Sequence, residues 1–291
     1  MIITIIGVGL IGGSIALALK DNNFSTKIIG VDQSAENISK ALELGIIDQS
    51  LELKEAIKIS DLIIISIPVN VTTNVLHQVM DNISYNTVVT DVGSTKREIC
   101  HSIIEHPKRK NFVASHPIAG TEHSGPQAAL RDLFINKFGI ICDQEKSSDF
   151  ALKTVENMYR ALQMKLVYMD SASHDLHIAY VSHLSHISSF ALGVTVLEKE
   201  KDESTIFNLA GSGFESTVRL AKSSPEMWSP IFEQNSENIS EALSQYIKQL
   251  ENFKSYIDNK EFSKCFQVMT EANEIRRVLD GISKGVLEKR S

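Results

Sequence analysis

A chain of 291 residues that is 43% hydrophobic and 22% charged has an ordinary globular composition and the length of about two domains, at roughly 150 residues each. Its net charge of -7 and pI near 5.7 argue against general affinity for nucleic acid or anionic lipid, and the triplet Lys108-Arg109-Lys110 reads as a solvated turn. Cys100, Cys142 and Cys265 lie far apart with no CxxC, so neither a disulfide framework nor a cysteine zinc site is indicated; no metal is expected, and a reducing cytoplasm is the expected compartment.

No basic or apolar leader precedes Ile2, and no uninterrupted apolar run approaches the 18 or so residues of a membrane span, so the chain is read as soluble and unprocessed. Ile2 to Ile6 is a β-branched run of the kind buried on both faces of a sheet. Gly7, Gly9 and Gly12 follow as G-x-G-x-x-G, and Leu10 and Ile11 enter an apolar helix through Ala16 to Leu19. Strand, glycine turn and helix together form the dinucleotide fingerprint, with the pyrophosphate expected on the helix N-terminus. Lys27 to Val31 is a second strand, and Asp32 at its end falls 20 residues after Gly12, where a carboxylate accepts hydrogen bonds from an adenosine ribose and repels a 2'-phosphate, favouring NAD over NADP. Asp61 to Ile67 is a third buried strand, ended by Pro68. Gly7, Gly9, Leu10, Ile11, Gly12, Asp32 and Pro68 are the expected cofactor-binding positions.

Helices around Ala35 to Leu44, Val71 to Met80 and Thr95 to Glu105 alternate with strands at Thr87 to Asp91 and Phe112 to Ser115. Such alternation predicts a parallel sheet with right-handed crossovers. Thr95-Lys96-Arg97-Glu98 has the form of a capping box, and Ser94 just before it is a candidate contact for nicotinamide or substrate because its loop leaves the carboxyl end of a strand. The same edge carries His116-Pro117-Ile118-Ala119-Gly120-Thr121-Glu122-His123, a turn-rich stretch with two histidines and a carboxylate where such folds bind ligands. Strands at Phe138 to Cys142 and Lys165 to Met169, around a helix from Asp149 to Leu162, complete the predicted sheet and close a first domain at residues 1–170.

From Ser171 onward, in a second region of residues 171–291, strand signals cease. The stretch to Leu197 is apolar almost all round and carries His174, His177, His183 and His186. At 100° per residue each close pair spans about 60°, but the two pairs point in different directions, which argues against one four-histidine metal site and for a polar pocket. Gly211-Ser212-Gly213 breaks the chain ahead of a short helix with Arg219, a residue able to grip a carboxylate through two parallel hydrogen bonds. Ser224-Pro225 reads as N-cap and N1 of a helix with the only tryptophan, Trp228. Apolar residues at spacings of three and four from Ile239 to Ile257, then from Phe262 to Leu279, predict a long antiparallel helical hairpin with one face for a second subunit.

The motifs Gly7 to Ser14, Asp91 to Lys96, His116 to Glu122, Ser182-His183-Leu184-Ser185-His186 and Arg219 to Trp228 together resemble prephenate dehydrogenase over nearly the whole chain. The resemblance implies an α/β Rossmann-type N-terminal domain, an all-α C-terminal dimerisation domain, a homodimer, and NAD-dependent oxidative decarboxylation of prephenate to 4-hydroxyphenylpyruvate in tyrosine biosynthesis. Carried onto matching positions, it implies that His116 takes the proton of the ring 4-hydroxyl as hydride leaves C4, and that Ser94 binds the same hydroxyl. It also implies that Arg219 holds a substrate carboxylate, that His186 and Ser182 contact the pyruvyl side chain, and that Glu122 links to the arginine and gates the site. Ser185 stands where related sequences commonly have proline, which leaves the aim of His186 open. The regulatory ACT domain of some relatives is expected to be absent, and any feedback by tyrosine is then expected to act through the active site. A neutral imidazole titrating near the ordinary 6.5 suits the base. Arogenate as substrate, a β-hydroxyacid dehydrogenase of similar architecture, and a non-catalytic NAD-sensing module remain the alternatives.

Overall fold

A computed structural model describes residues 1–201 and 206–279. By packing, the chain divides into two compact units, Met1–Ile239 and Ser240–Ser291.

The first unit is built on an eight-stranded sheet. β1 (Ile2–Ile6) runs into the glycine turn and α1 (Leu10–Asp21), and β2 (Lys27–Val31) ends at Asp32 before α2 (Ala35–Glu43). A two-residue strand, β3 (Gln49–Ser50), and α3 (Leu53–Ile59) precede β4 (Leu62–Ile65), α4 (Val69–Asn82), β5 (Val88–Asp91), α5 (Arg97–Ser102) and β6 (Phe112–Pro117). β7 (Phe138–Cys142), α6 (Asp149–Ala161) and β8 (Lys165–Met169) complete it. The short pair β3 and α3 has no counterpart in the sequence reading. The strand order is β3-β2-β1-β4-β5-β6-β7-β8.

Strands β1 to β6 pair in parallel, as the alternation predicts, but β7 pairs antiparallel to β6, with His116 opposite Ile140, and β8 runs parallel to β7. The expectation of an all-parallel sheet is therefore corrected. The long connection after β6 returns along the opposite direction, an arrangement common at the edge of doubly wound sheets. The central strands are buried on both faces, which is why β4 reads Leu-Ile-Ile-Ile without alternation. Ile5, Ile15, Leu19, Ile64, Val113 and Met158 belong to a core on one face, and Ile63, Leu76, Val79, Ile99 and Phe112 to a core on the other.

Helices follow in the same unit: α7 (Ser171–Ile178), a π-helical turn at Ala179–His183, α8 (Leu184–Glu200), α9 (Ser212–Val218), a 3-10 turn at Arg219–Lys222 and α10 (Pro225–Gln234). Ser224 caps α10 as expected, its hydroxyl accepting from the Met227 N–H at 3.3 Å with Pro225 at the first helical position. Trp228 is buried with Val69 and Ile231 in a third small core.

α11 (Ser236–Asp258) continues into the second unit, where α12 (Phe262–Ala272) follows a short turn. The two helices meet where the Lys264 Nζ of α12 lies over the Tyr256 ring of α11, 5.5 Å from its centroid, and Cys265 of α12 is buried. Ile247, Leu250, Ile257, Phe262, Phe266 and Met269 are exposed on them.

Candidate active site

The glycine turn sits at the carboxyl end of β1, between β2 and β4, where the strand order reverses direction and where such sheets bind ligands. Gly7 has φ +92, and a Cβ there would strike the Ser66 carbonyl at the end of β4; a Cβ on Gly12 would strike the Gly7 carbonyl. Gly9 is different: the space beside it is open, and as N-cap of α1 it provides no side-chain cap. The first N–H groups of α1, Leu10 and Ile11 among them, therefore keep their capacity for an anionic group. One Asp32 oxygen accepts from the Val8 N–H at 3.0 Å and the other from the Ser34 N–H at 2.9 Å, tying the acidic turn to the glycine turn. Pro68 is exposed and is the N-cap of α4. These residues fit a dinucleotide, with backbone donors for its phosphates and a held carboxylate for its ribose.

Ser94 follows the carboxyl end of β5, and His116 lies near the carboxyl end of the adjacent β6, two strands that pair Asp91 with Ala114. Beneath the Ser94 loop, Lys96 forms a completely buried ion pair with Asp91, and the Asp91 carboxylate also accepts from the Gly93 N–H at 2.9 Å and the Ser115 N–H at 3.3 Å. Ser94 is half-buried. The capping box does not form. The Thr95 hydroxyl donates instead to Gln234 Oε1 at 2.6 Å, and α5 is capped by Asp175 of α7, whose carboxylate accepts from the Lys96 N–H at 2.7 Å and the Arg97 N–H at 2.9 Å.

Asp175 has a second contact. Its Oδ1 lies 2.7 Å from His174 Nδ1, and His174 Nε2 lies 2.9 Å from His116 Nδ1. Burial, and then the proximity of His174, Lys96 and His183, hold His116 well below the ordinary histidine range. The expected value near 6.5 is corrected accordingly. His174 is also lowered, by burial that outweighs its bond to Asp175.

The π turn changes how the histidines are placed. One inserted residue rotates the following helix by about 100° relative to a continuous α-helix, and it brings His183 to the side that Asp175 occupies. Asn235 donates to the Asp175 carbonyl at 2.7 Å and stands 3.2 Å from His183 Nδ1. His183 is pushed down to about 4 by burial. Trp228 meets His183 edge-on, with ring centroids 5.8 Å apart, and stacks on His186 at 3.5 Å. The His186 Nδ1–H donates to the Ser182 carbonyl at 3.0 Å, so Ser182 fixes the ring through its backbone. His177 is exposed and outside this cluster. Among the described residues no group of three or more His, Cys, Asp or Glu is arranged to hold a metal ion, and no helix is long and apolar enough to cross a membrane.

Arg219 stands in the 3-10 turn after α9, and its Nη1 donates to Glu122 Oε2 at 3.0 Å. Asp175, Asn235 and Gln234 are the participants the sequence reading missed. Only Asp175 had any signal, its place beside His174.

A doubly wound sheet with an open glycine turn, an acidic residue at the second strand and a half-buried imidazole on the same edge defines an oxidoreductase of the dinucleotide-dependent dehydrogenase class. Residues 15–168 match the family model described as prephenate dehydrogenase, nucleotide-binding domain, and residues 170–271 that of the prephenate dehydrogenase dimerization domain. The chain belongs to the prephenate dehydrogenase family. It is 32% identical to the prephenate dehydrogenase of Bacillus subtilis over 98% of this chain and 78% of that one. The crystal structure of prephenate dehydrogenase from A. aeolicus, in complex with hydroxyphenyl propionate and NAD+, superimposes with a TM-score of 0.88 at 33% identity, covering 96% of this chain and 98% of that chain. The Synechocystis arogenate dehydrogenase structure gives 0.77 at 26% identity, covering 96% and 100%.

Proposed function

We propose that this protein oxidatively decarboxylates prephenate to 4-hydroxyphenylpyruvate with NAD as acceptor, as a homodimer in the cytoplasm. NAD, when bound, supplies the acceptor for the hydride that leaves ring C4. His116 Nε2 takes the 4-hydroxyl proton: the O–H bond breaks and an N–H bond forms as the ring carbon becomes carbonyl-like, and loss of carbon dioxide leaves an aromatic ring. Ser94 orients the same hydroxyl. Arg219 holds a carboxylate, Glu122 occupies the arginine until substrate displaces it, and His186 with Ser182 borders the side chain. Residues 1–170 form the nucleotide-binding part, and residues 171–291 the substrate-binding and dimerising part.

The observation that carries this reading is the pairing of His116 with His174 at 2.9 Å at the carboxyl end of β6, which fixes one ring nitrogen of a depressed, neutral imidazole and leaves the other for substrate. Asp32, tied to the glycine turn, supports NAD over NADP. The exposed apolar residues of α11 and α12, in a stretch matched by a dimerization domain, support the homodimer. The likeness to an arogenate dehydrogenase keeps arogenate, with an amine in place of the side-chain keto group, as the second reading. Steady-state rates with prephenate and arogenate, each with NAD and NADP, decide between them. Prephenate with NAD is expected to give the highest kcat/KM; preference for arogenate or NADP overturns that part of the assignment.

A further inference from the structure

Asp175 lies in a buried position between the two active-site loops, and its contacts determine more than helix capping. A carboxylate can only accept, so the proton between Asp175 Oδ1 and His174 Nδ1, 2.7 Å apart, is on the histidine nitrogen. A neutral His174 then presents a bare Nε2, and the 2.9 Å bond to His116 requires the proton to be on His116 Nδ1. His116 Nε2 is left with its lone pair. We propose that Asp175 and His174 are positioning residues that fix the tautomer of His116, and that Asp175 couples this tautomer to the Ser94 loop by capping α5 with the same carboxylate.

The inference rests on the reading of His116 as base and deepens it. Three donors converge on one carboxylate: the Lys96 N–H, the Arg97 N–H and His174 Nδ1–H. The Asn235 amide, donating to the Asp175 carbonyl at 2.7 Å, fixes the backbone that carries it. When His116 gains a proton it becomes an imidazolium whose Nδ1–H points along the chain to a buried anion. Histidine tautomers set in this way by a carboxylate are worth several powers of ten in rate in other enzymes. The remaining charges around His116 are Lys96, already paired with Asp91, and His183, held neutral at neutral pH by burial.

The test is 15N NMR of the full chain labelled at histidine, with steady-state kinetics of Asp175→Asn, Asp175→Glu and His174→Phe. In the wild-type protein His116 is expected to carry its proton on Nδ1. Asp175→Asn and His174→Phe are expected to mix the tautomers, to lower kcat by at least about 100-fold and to leave NADH affinity within about threefold; Asp175→Glu is expected to restore part of the rate. His174→Phe keeps the cap on α5, so a merely structural Asp175 would lose activity in Asp175→Asn while His174→Phe kept both tautomer and rate, and that result overturns the proposal. So does a wild-type His116 protonated on Nε2, which is decisive even if Asp175→Asn does not fold. The tautomer is read without substrate: a protein with the stated tautomer and no turnover of prephenate would overturn the assigned reaction, not the relay.

Discussion

Arg219 donates to Glu122 at 3.0 Å although 97 positions separate them in the chain, joining the turn after α9 to the loop after β6. The guanidinium side chain is 49% exposed and the carboxylate 20%, so the pair is open to exchange. Only part of the five-donor fork is engaged, and the rest suits a substrate carboxylate. Arg219→Ala is expected to raise KM for prephenate by about 10- to 100-fold, in line with the roughly 1.5–3 kcal/mol of a charged hydrogen bond, with little change in kcat. Initial-rate kinetics read this directly, and a lost kcat at constant KM contradicts it.

Gly9 separates folding from cofactor binding. A methyl group there meets no atom within 4 Å, so Gly9→Ala is expected to melt within a few degrees of the wild type while its Kd for NADH rises at least about tenfold, because the added carbon stands where the backbone must approach the pyrophosphate. Fluorescence titration of NADH and a thermal melt check the two halves. Unchanged affinity would remove the glycine turn from the cofactor site.

The acid limb of the pH profile is displaced. His116 acts as a base only when neutral, and burial holds it well below 6.5. Activity as kcat/KM is therefore expected to persist as pH falls through 6.5 and to decline only below it, toward the depressed value. A limb at or above 6.5 would mean that another group is titrating.

Stability follows the same groups with a definite sign. For His183 the unfolded chain titrates near 6.5 and the folded chain near 4. Above 6.5 neither state binds the proton. Between 6.5 and 4 the unfolded state binds it and the folded state excludes it, so stability falls with falling pH, by about 3 kcal/mol once both have titrated. Thermal melts from neutral pH downward should show Tm dropping across this window, with a shallower drop for His183→Gln. Equal slopes would place the origin elsewhere.

What the sequence made legible was what depends on neighbours along the chain. The run Ile2 to Ile6, the glycine turn, Asp32 after β2 and the Ser224 cap are each marked by residue types within a few positions of one another. Asp175 had no sign beyond its place beside His174, because its partners, the Lys96 and Arg97 N–H groups, lie 79 and 78 positions upstream; the box pattern at Thr95 to Glu98 was overridden by Gln234, itself 139 positions from Thr95. The histidines of the helix after Ser171 were identified, but their facing was not, since one extra residue in the π turn at Ala179–His183 resets the helical phase. Strand direction at β7 left no mark either, because a buried strand reads the same both ways.

The most direct test of the central claim is NADH formation from prephenate and NAD by the wild-type protein beside His116→Asn, with NADH binding measured on both. Turnover is expected for the wild type, and a loss of about 10²- to 10⁴-fold in kcat with NADH affinity retained for the variant. Comparable kcat in the two proteins would contradict it, because the proton of the ring hydroxyl would then leave without His116.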